Sequence, residues 1–150
     1  MRDIKVQSHR GAEVQKPINS EAQRCKSAEV QKQGYHNLLI WQKAKELVLL
    51  VYKITDKFPK TEQYGLTSQT RRAVISVVLN IVEGDRRKSR KEFLRFLDIC
   101  DGSLTELEAC FELAFELNYV SRGDNSLLTD RRRELARMLF SFIKSVENQK

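Results

Sequence analysis

The chain has 150 residues, 41% of them hydrophobic and 31% charged, and its 27 Lys and Arg against 20 Asp and Glu give a formal net charge of +7. That composition suits one domain with a real core, and no stretch approaches the roughly 18 consecutive apolar residues that a membrane span requires. Residues 1–36 hold seven Lys or Arg against four acids and residues 37–150 hold twenty against sixteen, so the body is only mildly basic and the position of its charges matters more than their sum.

The first residues, MRDIKVQSHRGAEVQK, lack the apolar region of a secretory signal, which makes the cytoplasm the default compartment. From Met1 to His36 the chain is poor in large apolar residues and rich in Gln, Lys, Glu and Ser, and the pentapeptide AEVQK occurs at Ala12–Lys16 and again at Ala28–Lys32. Residues 1–36 therefore read as a disordered, low-complexity tail, and residues 37–150 as the folded domain.

Asn37 is a plausible N-cap for a first helix whose apolar positions are Trp41, Ala44, Val48, Val51, Thr55 and Phe58, spaced by three and four. Pro59 ends it, and Thr61 is placed to cap the next helix. That second helix runs to about Glu83 with Gly84 as its stop. Ser89 and Glu92 form a capping box at the start of a third, whose positions Phe93, Leu97, Cys100, Leu104, Leu107, Phe111 and Ala114 alternate steps of four and three. Gly102 within that seam implies close helix contact. After a turn over Asn118–Asn125, a fourth helix from about Ser126 to Glu147 carries Leu128, Leu135, Leu139, Phe142 and Val146 on one face. Four helices with short connections and no strand pattern predict an all-α, antiparallel up-and-down four-helix bundle with a disordered N-terminal tail.

The second helix has more apolar surface than a bundle needs. Gln69, Arg72, Ser76, Asn80 and Glu83 form one narrow polar stripe, while Val74, Val78, Ile81, Val82 and their neighbours cover most of the remaining circumference. A second packing surface of this kind is most simply another copy of the chain, so Val74, Val78, Ile81 and Val82 are expected at an oligomer interface.

Catalytic chemistry finds little support. No histidine falls within the four helices, no cysteines have zinc-ligand spacing, and no nucleophile has a histidine at hand. Glu108, Glu112 and Glu116 align at four-residue steps but read as an acidic face. Cys100 and Cys110, ten residues apart on one helix, are separated by about 15 Å and cannot pair. No cofactor, metal or catalytic residue is expected, and the protein reads as non-enzymatic.

One cluster rises above this background. Arg86, Arg87, Lys88, Arg90, Lys91 and Arg95 place six cations in ten residues around the start of the third helix, opposed by Glu92 alone. Cations there oppose the helix dipole, by about 0.3–1 kcal/mol each when exposed, so helix stability does not explain them. A bound anion does: free amides with converging Arg and Lys suit phosphate. Arg133 and Arg137, with Lys144, share an outward face of the fourth helix and extend the expected surface, and Arg131 and Arg132 lie nearby. With the phenylalanines committed to core seams, recognition of RNA or DNA backbone is expected rather than stacking on bases.

The order and spacing of Leu39-x-Trp41-Gln42-Lys43-Ala44, Phe58-Pro59 with Glu62 and Tyr64-Gly65-Leu66, Gln69-x-x-Arg72-Ala73, Asn80-Ile81-x-Glu83-Gly84, Ser89 with Glu92-Phe93, and Gly102-Ser103-x-x-Glu106-Leu107 resemble the bacterial family of 23S rRNA-intervening sequence proteins, from about residue 38 to 146. That family includes relatives of the accessory protein of diversity-generating retroelements, a pentameric barrel that binds nucleic acid beside a reverse transcriptase. The resemblance implies a homopentamer. The alternative to RNA or DNA binding by the basic turn is a structural or adaptor oligomer whose acidic and polar faces recruit a protein partner such as a reverse transcriptase or a ribosomal component.

Overall fold

The structure, a computed structural model, describes residues 34–148. The tail expected over residues 1–36 lies outside the described residues except for its last three, and so does Cys25.

A 3-10 turn at Tyr35–Asn37 leads into four helices: α1 (Leu39–Thr55), α2 (Leu66–Asp85), α3 (Arg90–Glu116) and α4 (Arg122–Asn148), with a second 3-10 turn at Lys60–Glu62. There is no strand among the described residues. α2 packs most extensively on α3, and the remaining neighbours are α1 with α2, α3 with α4, and α1 with α4, with no packing across either diagonal among the described residues. Each pair runs antiparallel. Gly84 lies beside Phe93 while Ser76 meets Ser103; Phe93 meets Phe142 while Glu108 meets Arg132; Lys43 approaches Glu134 while Lys57 pairs with Asp124. At the α1–α2 connection Arg71 donates to Thr55, and at the far end Gly34 lies beside Asp85.

The core is the centre line of these four helices. Leu97, Cys100, Leu104, Leu107, Phe111 and Ala114 of the predicted α3 seam are buried and Phe93 is half-buried; on α4, Leu128, Leu135, Leu139 and Val146 are buried, with Phe142 at their edge. Each enclosed leucine contributes about 1.5–3 kcal/mol relative to exposure. On α1 the expected Ala44, Val51 and Thr55 are buried, as is Phe58 just past its end, and Ile40, Leu47 and Ile54 join them, while Trp41 and Val48 at the edge of the face are only half-buried. α1 is apolar on more than one side, and its two neighbours choose which side goes in.

Several helix ends are made differently from the expectation. Asn37 is part of the first 3-10 turn and Leu38 precedes α1 without a side-chain cap. Thr61 lies in the second 3-10 turn; the side chain that serves α2 is Glu62, whose Oε2 accepts from the Leu66 amide at 3.0 Å. Ser89 is the N-cap of α3 with extended backbone, but its hydroxyl makes no capping bond, so the Ser89–Glu92 box is not formed. α4 begins four residues early because Ser121 Oγ accepts the Asp124 amide at 3.1 Å and draws Gly123 and Asn125 into the helix. α3 ends in a Schellman arrangement: Asn118 adopts φ 59°, its amide bonds to Phe115 O, and the Tyr119 amide bonds to Ala114 O.

Gly84 and Gly102 exchange the roles expected of them. Gly84 does not stop α2 but sits buried in its last turn, where an added Cβ would lie 2.8 Å from the Phe93 ring and 3.1 Å from Phe96. Gly102, expected at a close contact, is exposed, and a Cβ there would meet nothing within 4 Å.

Candidate nucleic-acid interface

The α2–α3 turn owes its shape to Gly84, which lets the start of α3 fold back against α2. The turn itself is short and solvated, and Arg86, Arg87, Lys88, Arg90, Lys91 and Arg95 are all exposed on it or on the first two turns of α3. They are not equivalent. Arg87 is held by the Glu83 carboxylate one turn back and lies over the Phe96 ring at 4.9 Å. Arg90 reaches across the bundle end to donate to Glu147 O at 2.5 Å. Arg86, Lys88, Lys91 and Arg95 take part in no ion pair or hydrogen bond with any described residue. Lys91 and Arg95 line an open groove of about 790 Å³ together with Arg90, Glu92, Leu94 and Asp98.

The expected extension on α4 divides. Arg133 and Arg137 are exposed and take part in no ion pair among the described residues, whereas Arg131 pairs with Glu134 at 3.1 Å and Lys144 with Glu147 at 2.8 Å. Arg132 is nearly enclosed, with 12% of its side chain exposed, and pins α3 to α4 through Glu108. Arg133 and Arg137 are also not continuous with the turn: they precede Glu147 by fourteen and ten residues, about 21 and 15 Å along the helix. The cations thus form two patches, one capping the bundle end and one along its side.

Aromatic residues lie at the same end as the turn. Tyr35 stacks on His36 with ring centroids 4.2 Å apart, and Trp41 presents an edge to both, at 5.2 and 4.8 Å. Lys45 stands 5.7 Å over the Trp41 ring. The 3-10 turn carrying Tyr35 and His36 packs on α2, and Gly34 at its start comes within 3.5 Å of Asp85 Oδ2, measured from where a Cβ would be. Asp85 is the residue before Arg86. A boundary drawn by composition leaves Tyr35 and His36 in the tail; the available signal is that Tyr35 is the first Tyr, Phe or Trp in the chain and is followed closely by Trp41.

Of the residues expected between subunits, Val74 and Ile81 are 1% and 0% exposed and belong to the chain's own core, where they can meet no second copy. The periodicity of α2 cannot tell the inner apolar face from the outer. Val78 and Val82 are half-buried, and the outward apolar ridge continues through Ile75 to Leu79, which is 60% exposed. The polar stripe ties α2 to α3: Asn80 Nδ2 donates to Ser76 O at 2.8 Å, and the Ser76 and Ser103 hydroxyls are 2.8 Å apart.

No cluster of three or more His, Cys, Asp or Glu suited to a metal occurs among the described residues. Burial, reinforced by the Asp101 charge, pushes the Cys100 thiol up to about 12, and burial also raises Cys110. Both thiols are free and stay protonated near neutrality, the wrong form for a nucleophile. Glu108 is engaged with Arg132, and Glu112 and Glu116 face solvent. No described helix is long and apolar enough to cross a membrane.

The family model described as 23S rRNA-intervening sequence protein matches residues 36–141. Among solved structures, the chain is similar to a protein of unknown function from the S23 ribosomal protein family of Bacteroides thetaiotaomicron, with 22% sequence identity and a TM-score of 0.66 over 71% of this chain and 99% of that one. At that identity the likeness is one of fold. No curated protein matches the chain.

Proposed function

Because the chain belongs to the family of 23S rRNA-intervening sequence proteins, we propose that it is a non-enzymatic, self-assembling cytoplasmic bundle that holds the phosphate backbone of RNA or DNA through its α2–α3 turn. The observation that carries this reading is the crowding of Arg86, Lys88, Lys91 and Arg95, none of them in an ion pair or hydrogen bond with a described residue, around one helix start. Like charges crowded at a helix N-terminus destabilise it unless an anion lies among them. Arg87 and Arg90, already oriented by Glu83 and Glu147, frame the site, and Arg133 and Arg137 supply a second contact along the side of the bundle. The similar structure's description as a member of the S23 ribosomal protein family suits a setting rich in RNA phosphate.

The ridge of Ile75, Leu79 and Val82, an apolar surface on a helix whose inner face is already used, supports the self-assembly part of this reading. The pentameric state implied by the family resemblance would repeat the basic turn on each of its copies.

The test is binding of a structured rRNA fragment and a duplex DNA across a salt series, comparing the wild type with a variant in which Arg86, Lys88, Lys91 and Arg95 are changed to Gln. A steep loss of wild-type affinity with salt and a flatter slope in the variant support the turn as the site. If neither nucleic acid binds at low salt, the second reading takes over: an adaptor oligomer whose exposed apolar residues, Leu49 and Leu79 among them, recruit a protein partner such as a reverse transcriptase or a ribosomal component.

A further inference from the structure

We infer that the basic turn and the Tyr35–His36–Trp41 cluster form one composite surface for unpaired nucleotides, with cations holding the phosphates and the ring stack receiving a base; this rests on the reading of the turn as a phosphate site. Three observations place the parts together. The 3-10 turn bearing Tyr35 and His36 is packed on α2, and Gly34, the residue before Tyr35, lies beside Asp85, the residue before Arg86. Tyr35 and His36 already lie face to face at 4.2 Å with an interplanar angle of 30°, and both retain exposed surface, so a base can extend the stack. Lys45 over Trp41 adds a cation to the ring cluster itself.

Pairing decides which nucleic acid fits. In a duplex the base faces are buried against one another and only backbone and groove edges are offered, so the rings would have nothing to stack on. A single strand, loop or bulge offers a free base beside its own phosphate, the arrangement that aromatic platforms flanked by basic residues select. Stacking tolerates any base, so the surface distinguishes unpaired from paired rather than one sequence from another. Asp85 lies between the two halves and repels phosphate, which limits affinity and gives the surface a position that can be tuned.

Trp41 is the chain's single tryptophan, so its emission reports on the cluster alone. Its indole N–H meets no acceptor among the described residues, and ring packing fixes its position. The experiment titrates the full chain with a short oligoadenylate, a DNA duplex of equal length and inorganic polyphosphate matched in charge, following Trp41 emission and affinity together. Expected are saturable quenching by oligoadenylate, tighter binding of oligoadenylate than of polyphosphate, and little emission change with the duplex. Tyr35→Ala and His36→Ala should each weaken oligoadenylate roughly tenfold, the size of one lost stacking contact, and leave polyphosphate unchanged. Tyr35→Phe keeps the ring and should behave as wild type, which separates lost stacking from a disrupted turn. Asp85→Asn should tighten oligoadenylate and polyphosphate alike.

Equal affinity for oligoadenylate and polyphosphate, with no quenching and no effect of Tyr35→Ala, overturns the composite surface while leaving the backbone reading intact. Preference for the duplex overturns it as well. Failure of all three ligands to bind, or no effect of the four Gln substitutions at the turn, removes the phosphate site itself.

Discussion

The two ends of the bundle handle charge in opposite ways. At the end formed by the α1–α2 and α3–α4 connections, polar groups are consumed in holding loops together. Glu62 accepts both the Leu66 amide and the Tyr119 hydroxyl, the latter at 3.2 Å; Lys57 pairs with Asp124 at 3.1 Å, and Phe58 packs its ring against Tyr119. Tyr119 is correspondingly harder to ionise, through desolvation first and then the Glu62 charge. At the other end, Arg86, Lys88, Lys91 and Arg95 meet no opposite charge among the described residues. Lys60 and Arg122 at the first end are exposed and without an ion pair as well, so it is the crowding of four such cations within ten residues at the other end that makes it the place to look for a ligand.

That contrast can be broken most severely in the part the two ends share. Leu97, toward the basic end, and Leu107, toward the latched end, are both fully buried, so Leu97→Ala and Leu107→Ala should each cost about 2–5 kcal/mol in chemical unfolding. A large difference between them would mean that the ends differ in their core and not only in their polar shell. Next in size is Glu62→Ala, which removes a helix-end acceptor and strands the Tyr119 hydroxyl, at a cost of about 1–2 kcal/mol. The four Gln substitutions at the turn should instead leave stability within about 0.5 kcal/mol, or raise it slightly, while flattening the salt dependence of nucleic-acid binding. Parallel melts and binding isotherms separate these outcomes; a destabilised turn variant would make those cations structural.

Assembly gives a further comparison, between the outer and inner faces of α2. Light scattering should report a mass several times 17.5 kDa, and Leu79→Glu should lower it without unfolding the chain, whereas Val74→Glu should unfold it. A monomeric wild type would remove the assembly proposal.

The smallest effects lie at single positions. Asn118 holds the left-handed conformation at the end of α3, so Asn118→Gly should be neutral or mildly stabilising and Asn118→Val should cost about 1–2 kcal/mol. The raised Cys100 pKa favours the protonated thiol in the folded chain. Its contribution is complete below the thiol's ordinary value of 9.0 and is lost as pH rises toward about 12. Stability measured from pH 8 to 11 should therefore fall, and fall less in Cys100→Ala.

The α3 seam was legible because one strongly periodic line of large residues leaves a helix a single way to bury itself. The basic turn was legible because charge density is a property of sequence. The half-burial of Trp41 and Val48 and the roles of Gly84 and Gly102 were not, since each depends on what stands across the gap: Phe93 and Phe96 face Gly84, and nothing faces Gly102. By itself the sequence determined the helix count, the α3 core line and the site of excess positive charge, all of which follow from local periodicity and composition. Only tertiary structure decided which of those charges are spent on Glu83, Glu108 or Glu147, which α2 valines lie inside, and that Tyr35 and His36 stand beside the basic turn. The physical reason is that pairing, burial and adjacency are relations between residues far apart in the chain, settled when the helices pack.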